Sequence, residues 1–201
     1  MDQSRFLNRT TFGNPINFGK IISRDEAIEL LESWVPNEKL RLHMFQVGHL
    51  MKNWAESKNY DDLTCKKWEL AGLLHDADWE KWPDLHCAKI IEYLEEKNLD
   101  PEIIRTIACH GPNHFGVNPE TEMEKMIYAF DELSGFVHAY SLMRPTKYDG
   151  MEVSSVKKKL KDKMFAQQVS REEIDDAVSR TGMSIDEIIK FVIENQKNVS
   201  L

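Results

Sequence analysis

The chain has 201 residues, of which 41% are hydrophobic and 30% are charged, a composition typical of a soluble globular domain with a substantial core. No run of 18 apolar residues occurs and the first residues are polar, so the sequence predicts neither a membrane span nor a signal peptide. The net charge of −8 disfavours general nucleic-acid binding. The cysteines, Cys65, Cys87 and Cys109, form no C-x-x-C pair, and their odd number favours a reducing cytoplasm.

Residues 1–22 predict an irregular arm, from which Phe6, Phe12 and Phe18 can dock on the body of the protein. Helix signals dominate the rest, and no strand alternation or internal repeat is found. Apolar residues recur at spacings of three and four, and Asp100-Pro101 is a typical helix start. Four S/T-x-x-E capping boxes begin further helices, at Ser23, Thr121, Ser170 and Ser184. Helices are therefore predicted over 24–34, 38–57, 64–75, 85–97, 101–110, 121–142, 153–163, 171–180 and 184–197.

These elements predict an all-α protein. Its expected parts are the arm, a helical core over residues 23–150 and C-terminal helices over 151–201. The last two helices carry apolar stripes that fit a helical hairpin, packed either on the bundle or on a second copy in a homodimer. No chemistry is expected in these two helices.

Ionisable side chains recur inside apolar helices and at their ends. Burying such groups without a partner is costly. Helical bundles solve this by gathering side chains from several helices around a metal, and imidazole and carboxylate both bind divalent transition metals. A carboxylate can also bridge two ions. The candidate metal ligands are His43, His75, Asp76, His86, His110 and Asp131.

This order of residues resembles the HD-domain superfamily, the metal-dependent phosphohydrolases named for a His-Asp doublet. The resemblance covers about residues 38–142 and includes the contexts "ELAGLLHDAD" and "AFDELSGF". The H…HD…D motif of the family and the two further histidines of its dinuclear members are matched by His43, His75-Asp76, Asp131, His86 and His110.

The sequence departs from the commoner H-D-I-G form at Asp78, which stands in place of the glycine. The H-x-E-type companions of the cyclic-dinucleotide phosphodiesterases are also missing after His110. The activity of that branch is therefore not carried over. Asp78 is instead expected to transfer a proton, either during the attack of water or to the leaving group. The alternative is that Asp78 caps a helix or supports a metal ligand.

The resemblance implies two divalent transition-metal ions, without distinguishing Mn, Fe, Co, Ni and Zn. One ion would take His43, His75, Asp76 and Asp131, and the other would share Asp76 and add His86 and His110. The implied reaction is hydrolysis of a phosphate ester or anhydride by metal-activated water. A nucleotide or another small phosphorylated metabolite is the implied substrate.

Three residues are candidates for binding that substrate. Arg144 can grip a phosphate through two parallel hydrogen bonds and Lys147 can add a point charge. Both belong to "SLMRPTKYDG", and similar HD proteins carry a like Arg-Pro-x-Lys stretch. His114 lies in the loop "HGPNHFG", close to a ligand. The lysines of "VKKKLKDK" are expected either to form a solvated face or to add one further positive charge beside Arg144 and Lys147.

Two other functions use the same ligands. Some HD-fold proteins are di-iron oxygenases that cleave C–C or C–P bonds with O₂, and sequence spacing does not separate them from hydrolases. The second of these alternatives is a non-catalytic sensor that binds a metal or a nucleotide. The complete ligand set argues against it.

Overall fold

The computed structural model describes residues 5–14 and 18–201, and this part of the chain is all-helical, as predicted. An isolated bridge between Lys20 and Leu99 is its one β-type pairing. None of its helices is long and apolar enough to cross a membrane. The helices are α1 (Arg24–Trp34), α2 (Glu38–Ser57), α3 (Asp62–Leu74), α4 (Ala88–Glu96), α5 (Pro101–Ala108), α6 (Pro112–Phe115), α7 (Glu122–Leu142), α8 (Val153–Leu160), α9 (Arg171–Thr181) and α10 (Ile185–Gln196).

Two helices begin two or more residues away from the predicted position, each for a local reason. α3 begins two residues early because Asp61 caps it by accepting from the Thr64 N–H. α4 begins at Ala88 rather than at residue 85, since a 3₁₀ turn precedes it and Cys87 adopts a φ of 70°. The short helix α6 was not predicted. The three capping boxes at Ser23, Thr121 and Ser184 are complete.

Helix α7 is the centre of the bundle, with α2, α9 and α10 packed against it. α2 and α3 cross closely at Gly48 and Gly72. A Cβ on Gly72 would lie only 2.7 Å from the Gly48 Cα, so a larger residue would not fit there. Further along α2, Trp54 meets Phe191 of α10 edge-on at 4.9 Å. Ile189 and its apolar neighbours in α10 are fully buried, so the C-terminal helices pack on the bundle of their own chain.

The described part of the arm lies along the body. Phe12 is buried, and the Phe6 ring lies over Gly116, where a Cβ would approach it to 3.0 Å. The Leu7 N–H donates to the Phe115 carbonyl, and Arg9 forms an ion pair with Glu95. Phe18 does not dock as predicted, because it is 91% exposed.

Candidate metal centre

Five segments of the fold bring all six predicted ligands to one interior point. Helices α2 and α7 contribute residues from within their length, while the end of α3, the start of α4 and the end of α5 contribute the others. The ligand atoms within each of two groups lie within 4.8 Å of one another. The groups are His43, His75 and Asp131, and Asp76, His86 and His110.

The first group centres on Asp131. Its Oδ1 lies 2.9 Å from His43 Nε2 and 3.3 Å from His75 Nε2. His75 and Asp131 come from the end of α3 and the middle of α7, so the packing of these helices sets the spacing. The three side chains converge as ligands of one ion would.

Asp76 belongs to the second group, but its other oxygen is turned toward the first group. Its Oδ2 lies 4.0 Å from His43 Nε2 and 3.7 Å from His75 Nε2. Its Oδ1 lies 3.3 Å from His86 Nε2 and 3.6 Å from His110 Nε2. One carboxylate therefore faces both groups, which is the arrangement of a bridging ligand.

Hydrogen bonds on the far side of three imidazoles aim their Nε2 atoms inward. His75 Nδ1 donates to the Gly72 carbonyl at 2.7 Å, and His110 Nδ1 donates to the Ile107 carbonyl at 2.6 Å. His86 Nδ1 donates to Asp78 Oδ1 at 2.8 Å. Such bonds fix the tautomer that leaves Nε2 available to a metal.

The centre is electrostatically suited to cations. Burial alone lowers the pKa of His75, but the charges of Asp76 and Asp131 outweigh it and raise the pKa to about 9. Burial likewise opposes ionisation of both aspartates, yet His75 and the other imidazoles hold their pKa values below the usual range. His75 Nε2 is buried and has no hydrogen-bond partner among the described residues. The orphaned nitrogen and the oxygen-and-nitrogen donor set fit divalent transition metals.

Asp78 does not occupy the expected position for proton transfer. It is fully buried, and it is not among the residues that line the cavity. Besides holding His86, its Oδ1 accepts from the Cys87 N–H at 3.2 Å and its Oδ2 accepts from the Ile90 N–H at 2.9 Å. Its oxygens are thus engaged in supporting a ligand and the start of α4, which was the alternative interpretation.

A cavity of about 390 Å³ opens above the two groups. Trp79 and Phe115 form apolar walls, and the Phe115 ring packs on His86 and His110 at centroid distances of 5.1 and 4.9 Å. Gly111 permits this close approach, because a Cβ there would meet the Phe115 ring at 2.8 Å. His114, a predicted substrate-binding residue, does line the cavity.

Arg144 and Lys147 are not among the residues that line this cavity. Arg144 instead donates to the Asp149 carbonyl at 3.0 Å and lies over the Tyr140 ring. Lys147 is exposed in the following turn, with a φ of 51°. Among the described residues, Arg144 and Lys147 therefore do not lie where they could contact a phosphate in this cavity, contrary to expectation.

Other lining residues carried no recognisable signal in the sequence. Arg5 reaches the cavity from the arm and lies over the Trp79 ring at 5.6 Å. Glu132 follows a ligand in α7, and burial, Asp131 and Glu173 together raise its pKa to about 8. Glu173 comes from α9, one of the two C-terminal helices in which no chemistry was expected, and it lines the cavity. Its S-x-x-E position indicated only a helix cap.

Comparison of the chain with protein-family models, with curated proteins and with solved structures finds no match. The centre is therefore characterised by its own geometry. Its features are two groups of ligand atoms, a carboxylate that faces both, and a cavity of small-molecule size above them.

Proposed function

We propose that this protein is a metal-dependent hydrolase of a phosphate ester or anhydride, of the kind found in the HD-domain superfamily. The observation that carries the proposal is the placement of Asp76, whose two oxygens face two separate groups of ligands. Bound there, two metal ions would activate a water molecule and neutralise charge on the phosphoryl oxygens.

Different residues of the chain would bind each of the two ions. His43, His75 and Asp131 would hold one ion, His86 and His110 the other, and Asp76 would bridge them. The bonds from Gly72, Asp78 and Ile107 keep the imidazoles in ligand orientation before any ion binds, which reduces the reorganisation that binding requires.

The cavity supports a small phosphorylated metabolite as substrate. Its volume of about 390 Å³ lies within the range of small-molecule sites. Trp79 and Phe115 offer aromatic surface for a base or another flat group, while Arg5 can pair with a phosphate. These features favour a nucleotide or a compound of similar size and charge.

The test combines metal analysis with a phosphatase screen on protein purified without chelator. We expect more than one equivalent of transition metal and release of phosphate from at least one small phosphoester. Asp76→Asn removes the bridging charge and should abolish both, while Asp84→Asn, at an exposed aspartate outside the cavity, should change neither. Metal-dependent O₂ uptake in place of phosphate release would assign the oxygenase alternative instead. Absence of bound metal would refute both enzymatic functions.

A further inference from the structure

Glu173 does not close the capping box that its position in the sequence predicts. Glutamates at the third position of α1, α7 and α10 close capping boxes. In α9 only half of the box forms: Ser170 Oγ accepts from the Glu173 N–H at 3.2 Å, but the Ser170 N–H donates to Glu132 Oε2 at 3.2 Å. The Glu173 carboxylate is thereby released from its local partner and lines the metal cavity.

The partner that Glu173 takes instead is His114. Glu173 Oε1 lies 3.0 Å from His114 Nε2, and the two residues come from α9 and α6 on separate walls of the cavity. The Glu173 side chain is 12% exposed, whereas that of His114 is 59% exposed. A carboxylate bonded to one imidazole nitrogen fixes the orientation of the ring. The exposed imidazole can exchange protons with water.

We propose that His114, positioned by Glu173, is the general acid of the hydrolysis. This inference rests on the proposed function. As the oxygen of water bonds to phosphorus and its proton passes to solvent, the bond from phosphorus to the leaving-group oxygen breaks. The electron pair of that bond stays on the leaving oxygen, which takes the proton of the His114 imidazolium. Solvent then reprotonates the exposed ring.

Most of the other ionisable groups that face this cavity have partners of their own. Asp76, Asp131 and the histidines around them form the two ligand groups. Glu132, on α7, accepts from the backbone of Ser170. Arg5, from the arm, is a guanidinium that does not release its proton in proteins. His114 is the remaining imidazole among the lining residues of the described chain.

The test compares two phosphate monoesters with the metal-loaded full chain. The p-nitrophenolate of p-nitrophenyl phosphate departs without a proton, whereas the alkoxide of benzyl phosphate needs one. His114→Gln and Glu173→Gln should lower kcat for benzyl phosphate by about 100-fold or more, the usual contribution of a general acid. For p-nitrophenyl phosphate the loss should be below about tenfold, because the proton contributes little there. The alkaline limb of the pH–rate profile for benzyl phosphate should also disappear in both variants.

Matched measurements separate this role from a structural one. His49→Gln is the control, because His49 lies on α2, bonded to Asn53 and outside the cavity lining. Metal content and Tm should equal those of the parent protein in all three variants. Equal losses on both esters, or loss of metal in His114→Gln, would overturn the assignment. Failure of the parent protein to hydrolyse either ester with any metal would refute the phosphohydrolase function, and the inference with it, before any variant is compared.

Discussion

Asp76 and Asp78 are two residues apart, but they occupy different surroundings. Asp76 lines the cavity and faces both ligand groups. Asp78 is enclosed at the start of α4, where it accepts from two backbone N–H groups and orients the imidazole of His86. At the scale of single residues, the candidate centre therefore combines side chains that could bind a metal with a buried side chain that orients one of them.

Asp78→Asn should damage the second ion site without touching the first. The substitution removes the charge that supports His86 and places an amide N–H group among backbone donors. We expect about 10- to 100-fold weaker binding of one of the two ions. We also expect a loss of about 1.5–3 kcal/mol in unfolding free energy of the metal-free protein, the value of a hydrogen bond to a charged group. Metal titration and urea unfolding measure the two effects, and unchanged affinity for both ions would contradict the assignment.

His86→Ala should reduce the metal content from about two ions per chain to about one. His86 belongs to the second group only, and the first group keeps His43, His75 and Asp131. A site that loses one of its imidazole ligands binds metal far more weakly. Elemental analysis after dialysis measures the stoichiometry, with His49→Ala as the control for loss of an imidazole. A parent protein that binds one ion, with no change in His86→Ala, would exclude the dinuclear centre.

Helices α5 and α7 are joined beside the centre by an ion pair between Arg105 and Glu124. Glu124 also closes the capping box of α7 by accepting from the Thr121 N–H, and it accepts from the Glu120 N–H. α5 ends just before His110 and α7 carries Asp131, so this junction helps set the separation of two ligands. At the scale of elements, Glu124 therefore takes part both in the cap of α7 and in the contact between α7 and α5.

Glu124→Gln should destabilise the protein in a pH-dependent manner. Burial raises the pKa of Glu124, but the bonds from Arg105 and the two backbone N–H groups outweigh it and lower the pKa below its ordinary value of 4.5. The stabilisation is therefore complete above about pH 4.5 and is lost as the pH falls through the lower pKa of the folded state. Glu124 is buried but Arg105 is partly exposed, so loss of the charge should cost about 1.5–3 kcal/mol near neutral pH, the value of hydrogen bonds to a charged group.

Urea unfolding of parent protein and Glu124→Gln between pH 3 and 7 checks this expectation. Glu102→Gln is the control, because Glu102 is an exposed glutamate in the first turn of α5 that pairs with Lys67 of α3 and not with α7. The difference between parent and variant should shrink toward acid pH. A difference that stays constant over this range would mean that Glu124 does not contribute through its charge.

At the scale of the whole molecule, helix α9 forms part of the cavity wall and helix α10 packs on the helix that carries Asp131. α9 supplies Glu173, and α10 is linked to the ligand-bearing turn of α7 by Gln196, whose Nε2 donates to the Ser134 carbonyl at 3.0 Å. Ser134 Oγ in turn donates to the Asp131 carbonyl at 2.9 Å. These contacts lead us to expect that the core and the C-terminal helices unfold as one cooperative unit.

Ile189→Ala should therefore weaken the entire fold. Ile189 is fully buried in α10, and its truncation should cost about 2–5 kcal/mol of unfolding free energy. The loss should be the same by circular dichroism and by tryptophan fluorescence, in a single transition. Leu63→Ala, at an exposed leucine in α3, is the control and should change little. Separate transitions for the two probes would show that α10 unfolds independently of the core.

Local chemistry explains what the sequence by itself determined. Capping residues and apolar periodicity act within a few residues of one another, so the helices and the all-α class could be predicted from them. The candidate ligands could be identified because imidazole and carboxylate groups next to or within apolar helices require partners. The arrangement of His75 and Asp76 at the end of α3 follows from these local signals and the order of the motif.

Only the tertiary structure decided which polar side chains face the cavity. Asp78 was expected to face the cavity and is buried away from it, whereas Glu173 was expected to cap a helix and lines the cavity, because the direction of a carboxylate depends on segments that are distant in sequence. The start of α4 encloses Asp78, while Glu132 takes the Ser170 N–H and leaves Glu173 to His114. Arg144 points to the carbonyl of its own turn, and Arg5 reaches the cavity because the arm is bonded to Phe115 through Leu7. Local periodicity carries no information about such contacts, since they form only when distant segments pack together.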